Sequence, residues 1–314
     1  MEANKTIKES NLNDLIKKRV ILIGGTGTGK STLLNMLFND DFSKSSCITP
    51  AMIGNTSMSV THQTQCHINT KSGYLIYDTV GLGDPDLEDD QIVQQLRSFL
   101  RAVGIGIDLI IVVARYGRAS KEARMNFELI NEVFEKKWKE NAILVLTHYE
   151  EEGTEAENLE KWMKSDPFIT KSVEGFKKII LTNNSIGNLE QYTIESRKKC
   201  LENIQNCISS SKGSVFPIPL GFLEVLERIV MRYFSIYRRK VMALGSIAKR
   251  LAGLTDCRMT CGNCSICKNS IHLESLLTTN CNHVYHINCW NNQQQKVACL
   301  VCGCPITQIY INKT

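Results

Sequence analysis

The chain has 314 residues, of which 43% are hydrophobic and 22% are charged, and its formal net charge is +5. These values are typical of a soluble globular protein of about two domains, and so mild a charge does not call for a nucleic-acid partner. No apolar run approaches the roughly 20 residues of a membrane span, and the first residues contain no apolar signal-peptide core, so we expect a cytoplasmic protein.

In chain order, the first predicted elements surround a glycine-rich loop. Apolar residues 20–23 predict a strand, residues 32–38 predict a helix, and the spacing between them is GxxxxGK[ST]. Glycines let backbone N–H groups close around phosphate oxygens at a helix N-terminus. In this pattern Lys30 reaches the β- and γ-phosphates and the Ser31 hydroxyl ligates Mg²⁺. The predicted nucleotide-binding residues here are Gly24, Gly25, Thr26, Gly27, Thr28, Gly29, Lys30, Ser31 and Thr32; a structural glycine turn is the alternative.

The next elements predict a carboxylate beside this loop. After a long polar connection at 39–61, residues 65–69 and 74–78 predict a hairpin with its turn at 71–73. Asp78 ends the second strand, where a carboxylate of the Mg²⁺ shell is expected after a phosphate-loop unit. Gly81, three residues on, lets a backbone N–H approach the γ-phosphate. The alternative for Asp78 is the start of an ordinary turn.

Further strands alternate with helices. Strands are predicted at 108–113, 142–147 and 178–182, and helices at 91–102, 120–137 and 188–208. This alternation predicts an α/β fold, a three-layer sandwich with a mostly parallel sheet. Ligand-binding groups at the carboxyl ends of its strands then converge on one edge.

Six short motifs follow one another in a recognisable order. They are the glycine loop, SVT at 59–61, YDTVGL at 77–82, GRASKE at 117–122, THYE at 147–150 and the asparagine pair at 183–184. In this order they resemble the immunity-associated nucleotide-binding GTPases (IAN, GIMAP or AIG-type), over roughly residues 18–210. The resemblance implies GTP or GDP with Mg²⁺ as cofactors, and it implies that Thr61, or alternatively Thr64, meets Mg²⁺ and the γ-phosphate.

The same resemblance implies the residues that read the base. His148 and Glu150 occupy the base-reading motif, and Asn183 and Asn184 close over the base. Glu150 stands where the family usually has Asp, and its side chain is one methylene longer. An ATP-binding phosphate-loop protein is therefore the alternative to a GTP-binding one.

Hydrolysis is expected to be slow in the isolated domain. Leu82 stands where small GTPases commonly use Gln to orient the attacking water. The resembling family pairs its G domains face to face, which implies a nucleotide-dependent homodimer or oligomer. Arg118, or alternatively Arg115, then acts as an arginine finger in trans. The alternative for Arg118 is a surface charge near a helix cap.

Residues 221–252 carry apolar side chains at helical spacing over about eight turns, with a basic polar side. Such a helix can lie on an anionic membrane surface. An arm packed on its own domain or on a partner helix is the favoured alternative.

Nine of the thirteen cysteines lie between positions 257 and 304, which predicts a metal site in a reducing compartment. Eight residues form four pairs with the spacings of a RING finger of the His-His kind. In that family the pairs interleave, and the resemblance implies two four-coordinate, structural Zn²⁺ sites. The first set is Cys264, Cys267, His286 and Cys289, and the second is Cys281, His283, Cys299 and Cys302. Cys261 offers a competing partner for Cys264.

The RING resemblance implies a ubiquitin-conjugating enzyme as partner, bound through a surface that includes Ile266 and Trp290. Leu300, Gly303 and Gln293 depart from the residues usual at their positions, so ubiquitin-ligase activity is plausible but weakened. The alternative is a zinc-stapled interaction module.

Together these patterns predict four regions: an N-terminal arm (1–18), an AIG-type G domain (19–212), an amphipathic helical connector (213–256) and a small zinc-stapled RING domain (257–314). The predicted function is slow, assembly-dependent GTP hydrolysis coupled to a RING module. A non-enzymatic, nucleotide-dependent scaffold is the competing interpretation.

Overall fold

The computed structural model describes the chain in eight segments. They are 7–38, 64–79, 106–117, 138–150, 153–183, 191–213, 260–293 and 296–312, with single positions between 99 and 134. The predicted connector helix at 221–252 lies outside these residues.

Within the described segments the secondary structure consists of twelve strands and six α-helices, with 3₁₀ turns at Trp138–Asn141 and Leu273–Ser275. The strands are β1 Lys8–Asn11, β2 Lys18–Ile23, β3 Gln65–Asn69, β4 Tyr74–Asp78, β5 Leu109–Arg115, β6 Ala142–Thr147, β7 Lys178–Leu181, β8 Thr260–Asn263, β9 Ser270–His272, β10 Leu276–Thr279, β11 Val284–His286 and β12 Gln308–Ile311. The helices are α1 Leu12–Leu15, α2 Lys30–Phe38, α3 Glu155–Lys164, α4 Pro167–Val173, α5 Gln191–Ser209 and α6 Ile287–Asn291.

The larger sheet has the strand order β7-β6-β5-β2-β4-β3-β8-β9. Its first five strands pair in parallel, β3 runs antiparallel to β4, and β8 pairs in parallel with β3. The central strands β5 and β6 are rich in Val, Ile and Leu, and all six residues of β6 are buried. Continuous apolar runs of this kind are typical of parallel strands covered on both faces.

Helices cover this sheet on both sides. On one face, Leu33 and Leu37 of α2 and Leu201 and Ile204 of α5 pack against alternate residues of the central strands. The other face packs against buried side chains that include Phe127, Trp162 and Ile169. The predicted three-layer α/β arrangement is therefore present, and its mostly parallel sheet is mixed, because β3 runs antiparallel to β4 and β9 to β8.

Residues 260–312, here called the C-terminal unit, contribute β8 and β9 to the larger sheet. They also form most of a second sheet, ordered β1-β12-β10-β11. The N-terminal strand β1 completes that sheet by pairing in parallel with β12, from Lys8↔Gln308 to Asn11↔Ile311. Within the N-terminal arm expected at residues 1–18, Lys8–Asn11 form strand β1 and Leu12–Leu15 form the short helix α1, and the edge of β12 offers β1 its hydrogen-bond partners.

Two helices between 150 and 178 were not predicted. The Thr154 hydroxyl caps α3: it accepts a hydrogen bond from the Glu157 backbone N–H and donates to the Glu157 carboxylate. Asp166 caps α4 by accepting from the Phe168 backbone N–H, and Pro167 occupies the first turn. No helix within the described ranges is long and apolar enough to cross a bilayer.

Candidate functional site

The glycine loop joins β2 to α2 at the carboxyl edge of the sheet. Gly27 and Gly29 have φ values of 73° and 91°, which side-chain-bearing residues rarely adopt. A Cβ on Gly24 would lie 2.2 Å from the Val113 carbonyl oxygen, so the loop passes too close to β5 for any larger residue. The Thr28 hydroxyl donates to the Gly25 carbonyl at 2.9 Å and closes the turn.

Lys30 lies inside the curve of this loop. Its side chain is buried, and its Nζ donates to the carbonyl oxygens of Gly24 and Gly25, both at 2.9 Å. Burial lowers the pKa of Lys30, and the Asp78 charge opposes that shift. The ammonium group is thus held against the carbonyl oxygens of the glycine loop.

Asp78 and Ser31 bring a carboxylate and a hydroxyl together near Lys30. Asp78 is 1% exposed, and its Oδ1 has no hydrogen-bond partner among the described residues. Burial raises the pKa of Asp78 to about 6, although the Lys30 charge and a hydrogen bond with Ser31 act to lower it. A buried carboxylate oxygen next to a hydroxyl suits Mg²⁺, which binds oxygen ligands through one or two carboxylates and phosphates. These residues therefore fit the expected cation.

On the base-reading side, β6 is tied to the glycine loop. Thr147 Oγ1 donates to the Thr28 carbonyl at 2.8 Å and lies 2.9 Å from His148 Nδ1. His148 has φ 57°, so it leaves the strand in the left-handed conformation. Thr147 was expected only as a strand end, yet it connects the two halves of the site. Its position at the start of THYE was the available signal.

His148 and Glu150 are exposed at the end of β6, and Asn183 is buried after β7. The Tyr149 N–H donates to the Thr182 carbonyl and joins the segments that carry them. Burial, and then the Arg115 charge, lower the pKa of His148, while Glu150 acts to raise it. A neutral imidazole at this edge can stack on a planar ring.

Several predicted residues lie outside the described segments, namely Thr61, Gly81, Leu82, Arg118 and Asn184. The alternatives Thr64 and Arg115 are described. Thr64 is 3% exposed just before β3, and Arg115 is exposed at the end of β5.

The predicted metal ligands form two groups in the C-terminal unit. In each group the candidate ligand atoms lie within 4.8 Å of one another. The first group, quartet 1, is Cys264, Cys267, His286 and Cys289, and the second, quartet 2, is Cys281, His283, Cys299 and Cys302. The structure thus brings together the interleaved sets that the RING resemblance implied.

The surroundings of quartet 1 suit metal ligation. Ser270 O lies 3.2 Å from His286 Nε2 and accepts from it in the tautomer that leaves Nδ1 toward the cysteines. Burial acts to raise the pKa of Cys264, but backbone N–H donors at Cys267 and His286 outweigh it and lower the value to about 6. A thiol that ionises readily fits a Zn²⁺ ligand.

Trp290 was expected on an enzyme-binding surface, but it is 2% exposed and packs on Tyr285 with ring centroids 5.1 Å apart. That expectation was wrong, because the indole fills the small core between the quartets. Cys261, the competing partner for Cys264, lies instead beside Cys66 of β3.

The geometry at the sheet edge defines a P-loop nucleotide-binding protein, since strand, glycine loop, buried lysine and carboxylate occur in the required order. The AIG1 family model matches residues 18–220. The chain belongs to the AIG1 family, and this region is its GTPase domain.

Solved structures similar to the chain include Toc33 from Arabidopsis thaliana in complex with GDP and Mg²⁺, with 16% identity, 63% of this chain and 87% of that chain covered, and a TM-score of 0.45. A second similar structure has 18% identity, 65% of this chain and 87% of that chain covered, and a TM-score of 0.44. It is reported as "Dimerization is important for the GTPase activity of chloroplast translocon components atToc33 and psToc159". Era in complex with MgGDPNP and 16S ribosomal RNA nucleotides has 15% identity, 77% and 71% coverage, and a TM-score of 0.43. Because the TM-scores are all below 0.5, the assignment depends on the family match.

Proposed function

We propose that this protein binds GTP and GDP with Mg²⁺ and hydrolyses GTP slowly, in a manner that depends on assembly. The observation that carries the proposal is the buried group of Lys30, Ser31 and Asp78 at the end of the glycine loop. Lys30 would hold the β- and γ-phosphates, and Ser31 with Asp78 would hold Mg²⁺, which supplies charge neutralisation at the phosphates. Thr147 fixes the distance between phosphate and base subsites through its bond to Thr28.

The AIG1 family match supports a preference for guanine. Glu150 stands where the base-reading motif of the family usually has Asp. The test is a side-by-side measurement of GTP and ATP dissociation constants in the presence of Mg²⁺, with Lys30→Ala as the control that removes phosphate binding. We expect GTP to bind more tightly. Tighter ATP binding contradicts the guanine proposal.

Assembly would supply the catalytic group that Leu82 cannot provide. We propose that G domains pair across their nucleotides and that Arg118 neutralises transition-state charge in trans. The hydrolysis rate per molecule should then rise with protein concentration, and Arg118→Ala should remove this rise without weakening GTP binding. A rate that does not depend on concentration contradicts the dimer.

We further propose that the C-terminal unit is a RING-type module with two structural Zn²⁺ ions, in a reducing compartment such as the cytoplasm. The two quartets support this proposal. A unit this small has little core, so metal binding supplies free energy for its folding. Metal analysis of the purified chain, compared with a Cys264→Ala variant, tests it.

Because Trp290 is buried, a conjugating enzyme would bind an apolar surface formed by other residues of the C-terminal unit. Ile266 is half-buried, while Leu300 and Val301, between Cys299 and Cys302, are 54% and 50% exposed. Exposed apolar side chains on a metal-fixed loop are typical of a protein-binding surface. Autoubiquitination with a panel of conjugating enzymes should fall in Leu300→Asp, which keeps all eight ligands. Absence of transfer with every enzyme favours the non-enzymatic scaffold.

A further inference from the structure

The C-terminal unit contacts the tip of the β3–β4 hairpin of the GTPase domain. At the turn, the Thr70 backbone N–H and hydroxyl both donate to Asn282 Oδ1, at 2.7 and 2.6 Å. Asn282 lies between the quartet 2 residues Cys281 and His283 and has φ 65°. Thr70 and Asn282 are 7% and 8% exposed, so this contact is largely shielded from water.

The same unit also covers the open edge of the hairpin. Gln65 of β3 pairs on one side with Asp78 of β4 and on the other with Thr260 of β8. The candidate magnesium carboxylate therefore lies two strand spacings, about 10 Å, from the C-terminal unit. Cys264, a member of quartet 1, follows Thr260 by only four residues.

Packing continues across this boundary. Cys66 and Cys261 are buried neighbours, at 0% and 3% exposure. One apolar cluster runs from Ile68 and Leu75 of the hairpin to Ile271 and Leu276 of the C-terminal unit. The hairpin is thus held at its tip by the quartet 2 loop and along its edge by the strand that leads into quartet 1.

Strand β4 is held on one side by β2, where Leu22 pairs with Asp78, and on the other by β3, whose outer edge pairs with Thr260 of β8. Metal binding orders the backbone segments that carry the ligands. It would therefore fix Cys281 and His283, on both sides of Asn282, and Cys264, directly after β8. The opposite end of β4 carries Asp78, which must stand beside Ser31 to share one cation. Loosening the contact at Thr70 therefore weakens the support that Asp78 receives from the β3 side, while its pairing with β2 remains.

We propose that the β3–β4 hairpin couples metal occupancy of the two quartets to nucleotide affinity in the GTPase domain. The C-terminal unit would then regulate the nucleotide site as well as recruit a partner. This inference depends on the proposed function, since it assigns regulation to the same nucleotide site. Coupling of two binding sites is reciprocal, so nucleotide should raise metal affinity by the same factor.

The experiment uses the full chain, loaded with Zn²⁺ or stripped by a zinc-selective chelator while Mg²⁺ is kept in excess. Two quantities are measured in both states: the dissociation constant of a non-hydrolysable GTP analogue, and amide hydrogen exchange in the hairpin. We expect stripping to weaken nucleotide binding about tenfold, a value within the range usual for coupled sites, and to reduce protection of residues 65–78.

Two variants remove the contact from opposite sides. Thr70→Val removes the hydroxyl donor and leaves the metal loop intact, and Asn282→Gly removes the acceptor while keeping the positive φ that glycine tolerates. Both variants should retain Zn²⁺. In the Zn²⁺-loaded state they should bind the GTP analogue more weakly than the unmodified chain does, and removal of Zn²⁺ should change their affinity less. Asn280→Ala is the matched control, because the hydrogen bonds described for its side chain go to Pro305 and Thr307 within the C-terminal unit, and the substitution keeps its backbone carbonyl beside Thr70.

Unchanged nucleotide affinity and unchanged hairpin protection in the stripped chain would overturn the coupling while GTP binding stands. The coupling also fails if Thr70→Val responds to stripping as strongly as the unmodified chain. If the Zn²⁺-loaded chain binds no GTP analogue, the proposed function fails and the coupling fails with it.

Discussion

At the residue scale, Asp78 stands between the Lys30 ammonium and the Ser31 hydroxyl with 1% of its surface exposed. Burial disfavours its charge, and its pKa of about 6 leaves it ionised at neutral pH. An ionised carboxylate that is shielded from water is stabilised by a bound cation, which neutralises its charge.

Asp78→Asn tests this role. The amide keeps the shape but removes the charge, so we expect GTP affinity in Mg²⁺ to fall about ten- to hundredfold, the value of a charged interaction of roughly 1.5–3 kcal/mol. GTP titrations with Mg²⁺ and with EDTA should show that the variant has lost the magnesium dependence of the unmodified chain. Asp14→Asn, an exposed site in α1, is the control. Equal magnesium dependence in Asp78→Asn would contradict the assignment.

His67, on β3, predicts a pH dependence of stability. It is buried beside Phe38, and burial lowers its pKa from 6.5 to about 4. The unfolded chain therefore takes up a proton between pH 6.5 and 4 that the folded chain does not. The stability contributed by neutral His67 is present above pH 6.5 and is lost as the pH falls toward 4, by on the order of 3 kcal/mol.

His67→Gln should flatten this part of the profile, because its side chain does not titrate. The measurement is the free energy of unfolding by urea from pH 4 to 7 for both chains. Parallel profiles would show that other groups cause the acid sensitivity.

At the element scale, the end of β6 holds the glycine loop in place. Thr147→Val keeps the size of the side chain but removes the hydrogen bonds to Thr28 and His148. We expect GTP affinity to fall about fivefold, equivalent to about 1 kcal/mol for one buried hydrogen bond. Isothermal titration measures the change, and Thr170→Val in α4, whose hydroxyl donates to Met163, is the matched control. The same affinity in both variants would contradict the role of Thr147.

The elements differ in how far sequence could predict them. Strands at 65–69, 74–78 and 142–147 appear at the expected residues, because alternating or continuous apolar runs bounded by turn residues leave few other arrangements. Helix α3 was missed because it is short and mostly polar, and α4 because seven residues are too few to show a helical period, although their caps at Thr154 and Asp166 were readable. Trp290 was misplaced because a sequence does not show which aromatic residue fills a small core.

At the scale of the whole molecule, the two chain ends meet. Strand β1 pairs with β12, and Gln308 Nε2 donates to the Ser10 hydroxyl at 3.0 Å. The N-terminal residues thus complete the second sheet and cover an edge of the C-terminal unit.

Removal of residues 1–11 should therefore weaken the C-terminal unit. Without β1, strand β12 loses its parallel partner, and we expect a loss of roughly 2 kcal/mol from the hydrogen bonds removed. Hydrogen exchange of residues 308–311 and the rate of metal release measure the effect, and removal of residues 1–6 alone is the control. Unchanged protection after removal of 1–11 would contradict it.

By itself, the sequence determined the glycine loop, the succession of strands and helices, the AIG-type motif order and the four cysteine and histidine pairs, whose interleaving was implied by the RING resemblance. These features depend on local spacing, and local spacing fixes which backbone shapes and which ligand pairs are possible. Only the tertiary structure decided that Thr147 joins the loop to the base-reading strand, that Trp290 is buried, and that Asn282 binds Thr70. Those contacts join residues up to 212 positions apart, and which distant surfaces meet is set by packing of the whole chain.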